Sequence, residues 1–134
     1  MRTLFVVDDN EIDKCIIKLN LIKYPTFDYV LYYDGGLPFI RYIKEHKNDF
    51  LNLPDAIFLD LYMPRYDGWE VLDELKALYP ELSKKIRVYI VSASISPVDI
   101  LKAESYPFVQ RFISKPFTKD FLSLISNEFL VQIA

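Results

Sequence analysis

Residues 56–64 read Ala56-Ile57-Phe58-Leu59-Asp60-Leu61-Tyr62-Met63-Pro64, and this stretch decides the fold. Four apolar residues are stopped by a carboxylate, and a loop closing on proline follows. Such a short, unbroken apolar run suits a strand buried on both faces, the condition of a parallel sheet. Working outward, Thr3–Val7 is a similar run that ends in Asp8-Asp9-Asn10. Residues 27–33, 86–91 and 109–113 supply three more strands, the fourth ending at Ser92 and the fifth followed by Lys115-Pro116. Helical periodicity fills each interval. Asn10 is a good N-cap, after which Ile12, Cys15, Ile16, Leu19 and Ile22 recur at helical spacing until Pro25. Gly35-Gly36 marks the turn into a helix carrying Phe39, Ile40 and Ile43. Trp69 begins the third helix beside Gly68, with Val71, Leu72, Leu75 and Leu78 as its stripe before Pro80. Ser96 and Pro97 suit the cap and first turn of a short fourth helix. Phe121, Leu122, Ile125 and Phe129 line the last. Five strands alternating with five helices predict an α/β domain whose parallel sheet is covered on both sides.

Composition limits the functional classes. The 134 residues give room for one domain, expected to span 1–134 with no output domain. A chain of this size buries enough surface to fold without a disulfide or structural metal, and Cys15 is the only cysteine. A net charge of −3 and a pI near 5.1 argue against nucleic-acid binding through a basic face. No apolar run reaches membrane-spanning length and no signal peptide is evident. A cytoplasmic protein without a membrane partner is the expectation.

In an open parallel sheet, ligands bind at the carboxyl ends of the strands. The first strand delivers Asp8 and Asp9 there, the third Asp60, the fourth Ser92 and the fifth Lys115. Three carboxylates gathered on one rim repel one another and resist ionisation. A divalent cation removes the conflict, and hard oxygen ligands without His or Cys favour magnesium, or manganese in its place, over zinc. In such a site Asp60 suits a carboxylate nucleophile, Lys115 a mobile positive charge for phosphoryl oxygens, and Ser92 a hydroxyl donor.

The segments Val6-Val7-Asp8-Asp9-Asn10, Leu59-Asp60-Leu61-Tyr62-Met63-Pro64-Arg65-Tyr66-Asp67-Gly68, Val91-Ser92-Ala93 and Phe112-Ile113-Ser114-Lys115-Pro116-Phe117 resemble the receiver domains of two-component response regulators. The match runs in order over essentially the whole chain. The resemblance implies a flavodoxin-like (βα)5 fold with strand order 2-1-3-4-5, phosphorylation on Asp60, and magnesium held by Asp8, Asp9, Asp60 and the backbone carbonyl of Tyr62. It implies that Lys115 binds the phosphate, that the Lys115-Pro116 bond is cis, and that Ser92 and Phe112 form the pair that reorients on phosphorylation. It further implies a histidine kinase or histidine-containing phosphotransfer protein as donor and a separate downstream protein. A homodimer through the fourth helix, fifth strand and fifth helix is a further expectation. Such a domain is not an enzyme, beyond catalysing its own phosphorylation and dephosphorylation.

Two features depart from the pattern. Receivers often carry a small Gly-Ala pair before the last strand, where this chain has Tyr106-Pro107-Phe108. Tyr62 places a bulky ring where hydrolytic water approaches, which predicts slow loss of the phosphoryl group. Elsewhere, Cys15 falls on the expected core stripe of the first helix, and His46, among Lys44, Glu45 and Lys47, is expected to face solvent. Gly35-Gly36 lacks the further glycine and lysine of a phosphate-cradling loop. Two other functions compete. A haloacid-dehalogenase-type phosphatase spaces its nucleophile and general acid two residues apart, unlike the adjacent Asp8 and Asp9. An unphosphorylated scaffold or dimerisation module has no need of the full acid set.

Overall fold

The computed structural model describes residues 1–133, with side chains through residue 130; Ala134, the end of the expected domain, lies outside the described residues. The elements alternate as β1 (Thr3–Val7), α1 (Glu11–Lys23), β2 (Tyr29–Tyr33), α2 (Gly36–Glu45), β3 (Ala56–Leu59), α3 (Gly68–Leu78), β4 (Arg87–Ser92), α4 (Pro97–Glu104), β5 (Val109–Ser114) and α5 (Lys119–Ile133). Short 3₁₀ turns, Phe50–Asn52 and Tyr79–Glu81, precede β3 and follow α3. All neighbouring strands are parallel, in the order β2-β1-β3-β4-β5. This is the flavodoxin-like order.

Period-two alternation in the strands divides the core into two layers. Phe5, Val7, Ile57, Leu59, Val88 and Ile90 point to one side and pack with Phe39, Ile40 and Ile43 of α2 and Val71, Leu72 and Leu75 of α3. Leu4, Val6, Ala56, Phe58, Tyr89 and Val91 point to the other and pack with Ile17 and Leu21 of α1 and Leu122, Ile125 and Phe129 of α5. Among the described residues no helix is long and apolar enough to cross a membrane.

The largest correction concerns α1. Ile12, Leu19 and Ile22 are 61–72% exposed, Cys15 is exposed as well, and the buried apolar residues are Ile17 and Leu21. Apolar residues sit on two sides of this helix, so periodicity alone selects no inward face. Its phase is set by the chain leaving β1, where the Asn10 side chain accepts from the backbone N–H of Asp13 at 2.9 Å. Smaller corrections follow the same logic. The strand expected over 27–33 begins at Tyr29, and Phe27 instead packs edge-on against Phe58 and Phe129. Ser96 occupies the N-cap of α4 but makes no side-chain capping bond. His46 is half-buried rather than solvent-facing, since its ring stacks on Tyr42 with centroids 4.0 Å apart. Tyr106 and Phe108 turn inward, and the Tyr106 hydroxyl donates to Asp73 of α3 at 2.6 Å. Trp69 is half-buried, with the Lys102 ammonium of α4 4.3 Å from its ring centre.

Candidate phosphoacceptor site

The carboxyl edge of the sheet collects its acids by strand register. Val7 of β1 lies opposite Leu59 of β3, so the next residue of each strand, Asp8 and Asp60, emerges side by side. The ladder continues one step further, the N–H of Asp60 donating to the carbonyl of Val7 at 3.0 Å. Carboxylate oxygens of Asp8, Asp9 and Asp60 all lie within 4.8 Å of one another. Asp8 and Asp60 are buried, while Asp9 is partly open to solvent. Ser92 pairs with Ser114 at the ends of β4 and β5, and Lys115 follows directly. The N–H of Lys115 donates to the Ser92 carbonyl at 2.9 Å, which keeps strand and lysine in step. The Lys115-Pro116 peptide bond is cis.

The ammonium of Lys115 reaches back over the acids. Its Nζ lies 3.1 Å from Asp8 Oδ2, 3.4 Å from Asp60 Oδ2 and 2.6 Å from Asp13 Oδ2. Burial disfavours its charge, but the contacts to Asp13, Asp60 and Asp8 outweigh burial and hold its pKa above the ordinary lysine value. Burial, reinforced by the Asp8 charge, pushes the Asp60 carboxyl up to about 6 despite Lys115 and the Tyr62 N–H. Asp8 is raised for the same leading reason. Its Oδ1 accepts from the N–H of Asn10 at 2.9 Å. The buried Oδ2 lies within ion-pair reach of Lys115 but lacks the alignment of a hydrogen bond. A hard-oxygen set with an under-satisfied buried carboxylate atom fits a divalent cation such as magnesium.

The other expected residues surround this centre. The Ser92 hydroxyl is fully buried and accepts from the Ser94 N–H at 3.2 Å. Phe112 lies half-buried on β5, opposite Ile90. Tyr62 is 55% exposed, and its N–H is 3.4 Å from Asp60 Oδ1. Gly68 opens α3 against the end of β3, with its N–H donating to the Leu61 carbonyl at 2.8 Å. A Cβ on Gly68 would stand 2.4 Å from the Asp60 carbonyl oxygen and 2.6 Å from Leu61 Cα, so only glycine fits. In the loop between them, Arg65 adopts a left-handed φ of 71°.

Two residues escaped the sequence reading. Asp13, in the first turn of α1, makes the shortest contact to Lys115, although 102 positions separate them. Asp99 of α4 accepts hydrogen bonds from the Tyr62 hydroxyl and, at 2.7 Å, from the Ser94 hydroxyl. The Tyr62 bond, followed by the Ser94 bond, holds the Asp99 carboxyl below its ordinary pKa. Helical phase relative to Asn10 was the available signal for Asp13. No local signal pointed to Asp99.

Fold and rim together define a doubly wound α/β domain that concentrates acids and one lysine at the carboxyl ends of its strands. Comparison with known proteins narrows the class. Residues 4–125 match the family model of the response regulator receiver domain. The chemotaxis protein CheY of Listeria monocytogenes is 32% identical over 120 residues, covering 90% of this chain and 91% of CheY. Among solved structures, the Mn²⁺-bound form of response regulator Rcp1 superposes with a TM-score of 0.74 at 26% identity, covering 95% of this chain and 91% of that one. The phosphorylated cyanobacterial phytochrome response regulator RcpA gives a TM-score of 0.73 at 31% identity, with 96% and 90% covered. The chain belongs to the response regulator receiver family of two-component signalling.

Proposed function

We propose that Asp60 accepts a phosphoryl group and that the domain works as a switch in a two-component phosphorelay. The observation that carries this reading is the meeting of the Asp8, Asp9 and Asp60 carboxylates with the Lys115 ammonium at the strand ends. Asp60 Oδ attacks phosphorus while the bond from phosphorus to the donor histidine nitrogen breaks, its electron pair returning to the imidazole. Lys115 follows the negative charge onto the phosphoryl oxygens, and the Ser92 hydroxyl donates to another of them. Asp8, Asp9, Asp60 and the Tyr62 carbonyl hold magnesium, which balances the charge gathered during transfer. Manganese, present in the Rcp1 relative, is a suitable substitute.

The donor is a histidine kinase or a histidine-containing phosphotransfer protein. Drawing Ser92 toward the phosphoryl group empties space beside it, which Phe112 enters from β5. The surface formed by α4, β5 and α5 changes in consequence, and there it binds a downstream protein or a second copy of the chain. Tyr62 and Asp99 join the acceptor loop to α4, a second route from the site to that surface.

Incubation with magnesium and acetyl phosphate, followed by intact mass measurement, tests the proposal. One added phosphoryl group is expected, and it is lost in Asp60→Asn and on removal of the metal. Persistent absence of an adduct in the parent protein would favour an unphosphorylated scaffold instead.

A further inference from the structure

Lys115 has an additional partner besides the acids at the strand ends. Asp13 projects from α1, outside the set Asp8, Asp9 and Asp60, and holds the ammonium at 2.6 Å, nearer than Asp8 at 3.1 Å or Asp60 at 3.4 Å. Both side chains are largely sheltered, at 11% and 26% exposure, so solvent screens the pair only in part. Within α1 this carboxylate serves the helix dipole of the first turn, a role that does not account for its contact with Lys115. The N-cap bond uses the backbone N–H of Asp13, and Lys14 is paired with Glu11 and Asp34 instead.

We propose that Asp13 is a positioning residue that holds Lys115 in the resting state and competes with the phosphoryl group for its ammonium. The inference rests on the reading of Asp60 as phosphoacceptor. An ammonium has three donors, so Lys115 can touch several acids at once, yet its charge is shared among them. A phosphoryl group on Asp60 places new anionic oxygens in front of Lys115. Asp13 opposes that state in two ways: it retains the cation, and it adds a like charge beside the incoming group. The resting contact therefore sets how readily the active state forms.

The test uses beryllofluoride, a phosphoryl mimic, at saturating magnesium with the full chain. Asp13→Asn is expected to lower the beryllofluoride midpoint about two- to fivefold, the upper part of the range for loss of one partly screened charge contact. Glu11→Gln, which removes an acid from the same helix without touching Lys115, is expected to leave the midpoint unchanged. In metal-free protein, proton–nitrogen correlation spectra of the lysine side chains report the resting contact directly. A protected Lys115 ammonium signal, assigned with Lys115→Arg, is expected in the parent and in Glu11→Gln, and weakened in Asp13→Asn. A purely structural Asp13 would shift the thermal midpoint alone. An Asp13→Asn midpoint equal to or above that of the parent overturns the proposal. If the parent itself takes up no beryllofluoride while its Lys115 signal is protected, the phosphoacceptor reading fails, and the competition fails with it.

Discussion

At the scale of the residue, Asp60 is held in a form that resists its own ionisation. Its pKa of about 6 in the folded chain stands above the ordinary 3.8, because burial and the Asp8 charge outweigh Lys115. The native state therefore binds this proton more tightly than the unfolded state does. In metal-free protein the sign follows: the contribution of Asp60 to stability rises as pH falls from 7 toward 4, and is lost as pH rises through 6. Asp60→Asn removes the conflict and is expected to stabilise the metal-free protein at pH 7.5 by roughly 1–3 kcal/mol. That advantage shrinks by pH 5, as comparative urea unfolding will show; an equal difference at both pH values would refute the assignment. Tyr62 acts at the same scale. Its ring is exposed and its hydroxyl is tied to Asp99 of α4, so Tyr62→Gly is expected to open the approach of water. Several-fold faster loss of the phosphoryl group is expected, followed by intact mass after donor removal, and an unchanged rate would exclude the shield.

At the scale of the element, α1 and α3 teach different lessons. The apolar residues of α1 were visible in the sequence, but their spacing fits two faces, and the tertiary fold chose Ile17 and Leu21. Ile17→Ala is expected to lower stability by about 2–4 kcal/mol. Exchanging exposed Ile12, Leu19 or Ile22 for Gln is expected to change it by less than about 0.5 kcal/mol. Denaturant melts of the four variants separate the faces, and a large loss at Leu19 would reverse the assignment. Helix α3, by contrast, showed its apolar stripe in the sequence, while its capping box and the partial exposure of Leu78 came from the structure. Asp67 and Glu70 close a capping box at its start, and Val71, Leu72 and Leu75 form one buried stripe. Its anchor is the close approach of Gly68 to the backbone after Asp60. Gly68→Ala is expected to cost at least about 2 kcal/mol, since the obstructing atoms are backbone and cannot rotate aside. A melt equal to that of the parent would show that the loop yields.

At the scale of the whole molecule, β1, β3 and β5 contribute charged groups to one edge and are held there by two apolar layers. The hydrophobic layers thus supply the energy that keeps like charges together, and the metal is expected to relieve the repulsion. Magnesium at about a hundredfold above its dissociation constant is expected to stabilise the fold by about 2.7 kcal/mol. Chelation reverses the gain, and Asp9→Asn reduces it. Thermal midpoints identical with chelator and with millimolar magnesium would remove the metal from the proposed mechanism.

The amino-acid sequence by itself determined the order of the ten elements and which chemical groups stand at the strand ends. Both follow from local signals: apolar period, caps, prolines, and a polar residue that ends each buried run. Only the tertiary structure decided which side of α1 faces the sheet, that Asp13 closes on Lys115, and that Tyr62 is tied to Asp99. These depend on how segments far apart in the chain are rotated against one another, a relation that arises when the two core layers close on the sheet.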